Sequence, residues 1–178
     1  MSPFDFLVRF IGEGEKTMGN LSRQAFEEKY NLYSQELMNI SYGYTRNKED
    51  SLDVIQNVFY KLFNCNKSFL TPSDEKYWLI RVTINESKDL LRKRNRVTIV
   101  DRDVIDVLHE DDEKKDDRLL KLAEKVKVLP ERYKSVIILH YYDSLSIKDI
   151  VNSLRISESA VKKRLERARE MLKKEMEE

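Results

Sequence analysis

Residues Leu145 to Leu165 constrain this chain more than any other stretch, because they read as a helix, a tight turn and a second helix. Ser146 is a good N-cap, and Asp149 can complete a capping box with it. Ile147, Ile150, Val151 and Leu154 recur at helical spacing and form the expected buried stripe of the first helix. Ser157 can cap the second helix, along which Val161, Leu165, Ala168 and Leu172 share one face. Lys162, Lys163, Arg167 and Arg169 fall off that stripe and stay free for phosphates and base edges. This is the pattern of a helix-turn-helix whose second helix enters the DNA major groove. The competing interpretation is a helical hairpin with a solvated basic face. On charge alone the two stand roughly even, and the capped two-helix spacing favours DNA.

The rest of the chain reads as all-α. All four glycines (Gly12, Gly14, Gly19, Gly43) lie in the first quarter, and after Gly43 only Pro72 and Pro130 interrupt the chain. Few alternating, strand-like runs appear. A single cysteine, Cys65, excludes an intrachain disulfide and fits a reducing compartment. It reads as a packing or helix-end residue rather than a reactive one. The N-terminal residues Met1 to Phe6 lack a basic start and an apolar run, and no stretch is long enough to span a bilayer. A soluble, cytoplasmic protein is expected.

The net charge of +1 conceals its distribution. Lys88, Arg92, Lys93, Arg94 and Arg96 make one basic cluster. A run of carboxylates from Asp101 to Asp117 follows, and the C-terminal helix is basic again. This divides the chain into an N-terminal extension (1–22), a helical domain (23–96), an acidic linker (97–117) and a second helical domain (118–178).

In the first domain, Phe26, Tyr30, Tyr33, Leu37, Ile40 and Tyr44 define one helix. Leu52, Ile55, Phe59 and Leu62 define a second, whose other face shows Asp53, Gln56, Asn57 and Tyr60. Such a carboxylate-and-amide face usually does no more than meet solvent. Thr71 to Asp74 is a turn and helix start. A third helix is expected from about Glu75 to Arg96, with Trp78, Leu79, Val82, Leu90 and Leu91 apolar. These helices suit one bundle. On the third, Arg81, Asn85, Lys88 and Arg92 share a face beside Tyr77 and Trp78. Cations and aromatics together are what a single-stranded nucleic-acid platform requires, although a solvated face over a core tryptophan is commoner. In the second domain, Leu119, Leu122, Val126 and Leu129 make a helix that stops before Pro130. The next helix holds Tyr133, Val136, Ile137, His140 and Tyr141.

Four blocks of the chain resemble the extracytoplasmic-function (group IV) sigma factors of the sigma-70 family. They are Asp50 to Phe63; Tyr77-Trp78-Leu79-Ile80-Arg81 with Asn85, Asp89 and Leu91 to Arg94; Leu129-Pro130-Glu131-Arg132; and Arg164 to Arg169 closing the helix-turn-helix. The resemblance covers roughly Ala25 to Lys174. It implies a region 2 domain, a region 4 domain and a non-catalytic subunit that directs RNA polymerase to promoters and aids their melting. It implies that Asp53, Gln56, Asn57 and Phe59 dock the core polymerase, whose β′ and β subunits are the expected partners. Trp78, Arg81, Asn85, Lys88 and Arg92 would meet the melting minus-10 element. Ser157, Ser159, Lys162, Lys163, Arg164 and Arg167 would read the minus-35 element. An anti-sigma protein, often membrane-anchored, is a further implied partner, and could hold the chain at the membrane. No cofactor, metal or small-molecule substrate is implied.

The chain departs from the family pattern at four places. Arg155 stands where the turn usually has glycine, at a cost of about 1 kcal/mol if the site takes a positive φ. Phe63 replaces tryptophan, Asn57 a carboxylate, and Ser159-Ala160 a Gly-Thr pair. The alternative function is a stand-alone helix-turn-helix regulator with a helical effector domain. An enzyme is poorly supported, since His109 and His140 are isolated and no glycine-rich phosphate loop appears.

Overall fold

The structure, a computed structural model, describes residues 22–100 and 117–177. Ser22 begins the first helix, its Oγ accepting from the Ala25 amide at 3.2 Å. Helix α1 (Arg23–Thr45) ends where Arg46 turns left-handed, φ 52°, and returns its amide to the Tyr42 carbonyl. Asn47 caps α2 (Lys48–Phe63) by accepting from the Asp50 amide at 2.9 Å. The Thr45 and Ser51 hydroxyls meet at 2.7 Å beside it, so the buried corner leaves neither unpartnered. Helix α3 (Pro72–Val100) starts from reciprocal bonds between Thr71 and Asp74. Proline stands at its first position, where no amide donor is needed.

Phe26, Tyr33, Leu37, Ile40 and Tyr44 of α1 are buried as their spacing predicts, against Val54, Ile55, Val58, Phe59, Leu62 and Phe63 of α2. Phe26 meets the rings of Phe59 and Phe63 edge-on at 5.9 and 5.7 Å. The stripe of α3 differs from expectation. Leu79, Ile80, Thr83, Ile84 and Ser87 are buried, while Trp78, Val82, Leu90 and Leu91 are only half-buried. Two hydroxyls enter this seam because each bonds its own helix. Thr83 donates to the Leu79 carbonyl and Ser87 to the Thr83 carbonyl, at 2.9 and 2.8 Å. Their small size lets α3 approach α1 where Ser41 and Ser87 lie 3.4 Å apart.

The chain divides into two compact units between Arg94 and Asn95. Helix α3 nevertheless continues to Val100, past residue 97 where the linker is expected to start. Residues 101–116 of that linker, with His109, lie outside the described residues, as do residues 1–21 of the N-terminal extension.

In the second unit α4 (Asp117–Val128) is followed by α5 (Glu131–Ile137) and a π-helical turn over Ile138–Tyr142. The turn replaces the end of the helix expected after Pro130, and the His140 ring nitrogen lies 3.1 Å from the Leu145 carbonyl, closing the corner. Helix α6 (Ile147–Leu154) and helix α7 (Glu158–Glu177) complete the unit. Val126, Leu129, Val136, Ile137, Ile150, Val161, Leu165, Ala168 and Leu172 form its core. Val126 and Leu129 are buried as expected, but Leu122 is exposed and Ala123 beside it is buried.

Candidate nucleic-acid and polymerase interfaces

The helix-turn-helix closes through short local bonds. Ser146 Oγ accepts from the Asp149 amide at 3.1 Å and donates to the Asp149 carboxylate. Arg155 then takes φ 55°, ψ 47°, its amide reaching the Val151 carbonyl. The glycine-like conformation is therefore required here, and an arginine bears its cost. Ser157 caps α7, accepting from the Ala160 amide at 3.2 Å, and its hydroxyl meets that of Ser159 at 3.0 Å.

Along α7, Ser159, Lys162, Lys163 and Arg167 are exposed and Arg164 is half-buried. Lys162 pairs with Glu158 at 2.5 Å and Arg167 with Glu170 at 3.0 Å. The Lys162 hydrogen bond, and secondarily its charge, hold the Glu158 carboxyl below the usual range. These are exposed pairs within a helix, of the kind that contributes little to stability. Arg169 is not free as its spacing suggests, because its Nε donates to the Tyr141 hydroxyl at 2.7 Å.

In the first unit, Asp53 and Asn57 are exposed and Gln56 half-buried on one face of α2. They line a groove with Glu86, Asp89, Leu90 and Lys93 of α3. Its lining carries three carboxylates and one ammonium, and two of the carboxylates are already paired with cations at the rim, Glu86 with Lys61 and Asp89 with Arg92. The α3 wall was not singled out from the sequence, although its spacing of three, one and three residues puts all four side chains on one helical face. Lys61 of α2 and Glu86 form an ion pair that ties the two walls. Phe59 does not belong to the displayed face. It is fully buried, its ring 4.8 Å from that of Tyr30, and it supports the face from beneath.

The basic stripe of α3 shares one side of the helix: Asn85 and Arg92 are exposed, Arg81 and Lys88 half-buried. Lys88 lies 5.9 Å from the centre of the Tyr44 ring, and Arg92 bonds Asp89 at 3.1 Å. Trp78 tilts against Phe69 at 5.6 Å, so it is neither a core tryptophan nor a freely displayed one. Among the described residues no group of histidine, cysteine and acidic side chains could hold a metal ion.

The fold defines an all-α helix-turn-helix protein of two units. Sigma-70 region 2 matches residues 30–97 and sigma-70, region 4 matches residues 119–172. The ECF RNA polymerase sigma factor SigW of Bacillus subtilis is 27% identical over 168 residues, covering 86% of this chain and 90% of SigW. The RNA polymerase sigma factor SigZ of the same organism is 30% identical over 130 residues, covering 70% of this chain and 72% of SigZ. Among solved structures, the sigma factor RpoE, in complex with the anti-sigma factor NepR from Bartonella quintana, superposes with a TM-score of 0.66. Its identity is 22%, over 85% of this chain and 96% of RpoE. The chain belongs to the extracytoplasmic-function group of the sigma-70 family, and so is an RNA polymerase sigma factor that directs promoter recognition and transcription initiation.

Proposed function

We propose that the groove between α2 and α3 docks the core polymerase, through a basic helical surface of β′ whose cations take the Asp53 carboxylate and exchange with Lys61 and Arg92 for Glu86 and Asp89. The observation that carries this is the convergence of Asp53, Gln56 and Asn57 with Glu86 and Asp89 on one concave surface. The flanking stripe of Arg81, Asn85, Lys88 and Arg92, with Trp78 at its start, then meets the unstacked minus-10 strand. Cations take its phosphates, and a captured base offsets part of the unpairing cost. In the second unit, Ser157, Ser159, Lys162, Lys163, Arg164 and Arg167 read the minus-35 duplex, with α7 in the major groove. The protein contributes no catalysis of its own.

Two further expectations belong to this reading. No helix among the described residues is long and apolar enough to cross a membrane, which suits a cytoplasmic subunit. RpoE, and likewise CnrH with the cytosolic domain of CnrY, were each solved with a second protein bound. By that likeness we expect an anti-sigma partner here, able to hold the chain at a membrane if it is itself anchored.

Run-off transcription with purified bacterial core tests the reading, using the DNA upstream of this chain's own gene. A defined transcript that depends on this protein, and is lost on Asp53→Lys, is expected. Failure to co-elute with core, together with duplex binding by the protein alone, would replace it with a stand-alone regulator.

A further inference from the structure

Arg46, Ser144 and Arg155 are the described non-glycine residues with positive φ. Arg46 has an evident use for its side chain, its guanidinium stacking over the Tyr42 ring at 4.9 Å. Arg155 differs. Its side chain is exposed, and no hydrogen bond, ion pair or ring contact engages its guanidinium among the described residues. A left-handed arginine is disfavoured relative to glycine, so its presence asks what the side chain contributes.

Its position suggests an answer. Arg155 is the C-cap of α6, at the join with the reading helix that begins at Glu158. In a docked helix-turn-helix the first residues of the second helix meet base edges while the first helix crosses the backbone. A residue at that join therefore borders the groove wall, and the wall is a ridge of phosphates. Lys162 and Arg167 already have carboxylate partners to exchange when DNA arrives. Arg155 has none to give up, so its whole charge is available to a phosphate.

We propose that Arg155 is a DNA-binding residue: its guanidinium grips a backbone phosphate beside the minus-35 element and anchors the helix-turn-helix in register. This rests on the reading of α6 and α7 as the duplex-docking element. The contact carries no base information. It strengthens promoter and unrelated duplex alike, and adds one phosphate to the count of those neutralised. A glycine at this position would fold more easily and could not make the contact.

The test compares wild type with Arg155→Gly, Arg155→Asn and Arg155→Lys. Each is assembled with core polymerase and titrated onto two duplexes, the region upstream of this chain's own gene and an unrelated sequence, over a range of salt. Gly and Asn both accept the left-handed conformation without a charge, and their thermal melting checks the fold. Both variants are expected to melt no lower than wild type, yet to bind each duplex about three- to tenfold more weakly at low salt. Their logarithmic salt slope should fall by about one. Lys is expected to keep most of the affinity. Gly or Asn binding as tightly as wild type with an unchanged slope would overturn the proposal, as would Asn retaining affinity that Gly loses. A wild-type holoenzyme that binds neither duplex would sink the reading of α6 and α7 as the duplex-docking element as well. Wild-type binding matched by the Gly variant sinks this inference alone.

Discussion

Arg169 Nε donates to the Tyr141 hydroxyl at 2.7 Å, and the guanidinium carbon lies 5.8 Å from the centre of that ring. One exposed aromatic thus ties α7 to the π-helical turn, through a hydrogen bond and a cation–π contact. Tyr141→Phe should remove the bond and keep the ring, costing about 0.5 kcal/mol at this exposed site. Tyr141→Ala should cost about 1 kcal/mol, since the cation–π contact goes too. Urea unfolding of the two variants measures the difference, and equal losses would show that the ring adds nothing.

The burial of Phe59 separates two ways of losing polymerase binding. Phe59→Ala opens a cavity beneath Phe26 and Tyr30 and should destabilise the first unit by about 3–5 kcal/mol. Asp53→Lys alters an exposed side chain and should leave the melting transition nearly unchanged while abolishing co-elution with core. Circular dichroism melts run beside the binding assay distinguish a broken fold from a broken interface.

Lys29 and Glu75 join α1 to the start of α3 at 2.6 Å, with Glu75 almost wholly buried. Glu75→Ala strands a half-buried ammonium, so a loss of about 2 kcal/mol is expected. Lys29→Met with Glu75→Leu should recover much of it, because apolar replacement removes both desolvation costs. A double-mutant cycle in denaturant checks the coupling.

Acid should weaken two exposed pairs of the second unit. Bonds from Lys162 and Lys125 lower the Glu158 and Glu175 carboxyls below their ordinary 4.5. A carboxyl lowered on folding contributes stability that is fully present above its unfolded value and lost as pH falls through its folded one. The contribution is therefore intact at neutral pH and fades below pH 4.5. Glu158→Gln with Glu175→Gln should lower the melting temperature slightly at neutral pH and show a smaller further drop in acid than wild type.

Much of this could be read from the chain. The aromatic stripe of α1, the caps at Ser146 and Ser157, and the buried face Val161-Leu165-Ala168-Leu172 stand where spacing puts them. Each depends on spacing within one helix or at its cap. Where the reading went astray, a distant partner decided. On α3 apolar residues lie on several sides, and the packing of neighbouring elements, such as α1 where Ser41 meets Ser87, buries Thr83 and Ser87 more fully than Trp78 and Leu90. Phe59 belongs to the same short segment as the displayed Asp53 and Gln56, yet the rings of Phe26 and Tyr30 claim it. Arg169 lies off the apolar stripe and was expected to be free, but Tyr141 reaches it from another element.

The sequence by itself determined the all-α class, the capped helix starts at Ser146 and Ser157, and the helix-turn-helix. Periodicity, caps and the placement of glycine and proline are properties of neighbouring residues. Tertiary structure alone decided which side of α3 is core and that Glu86 and Asp89 share a groove with Asp53. It also decided that Arg169 is held by Tyr141. These outcomes depend on which surfaces meet across the fold, and a linear pattern of residue types does not specify that.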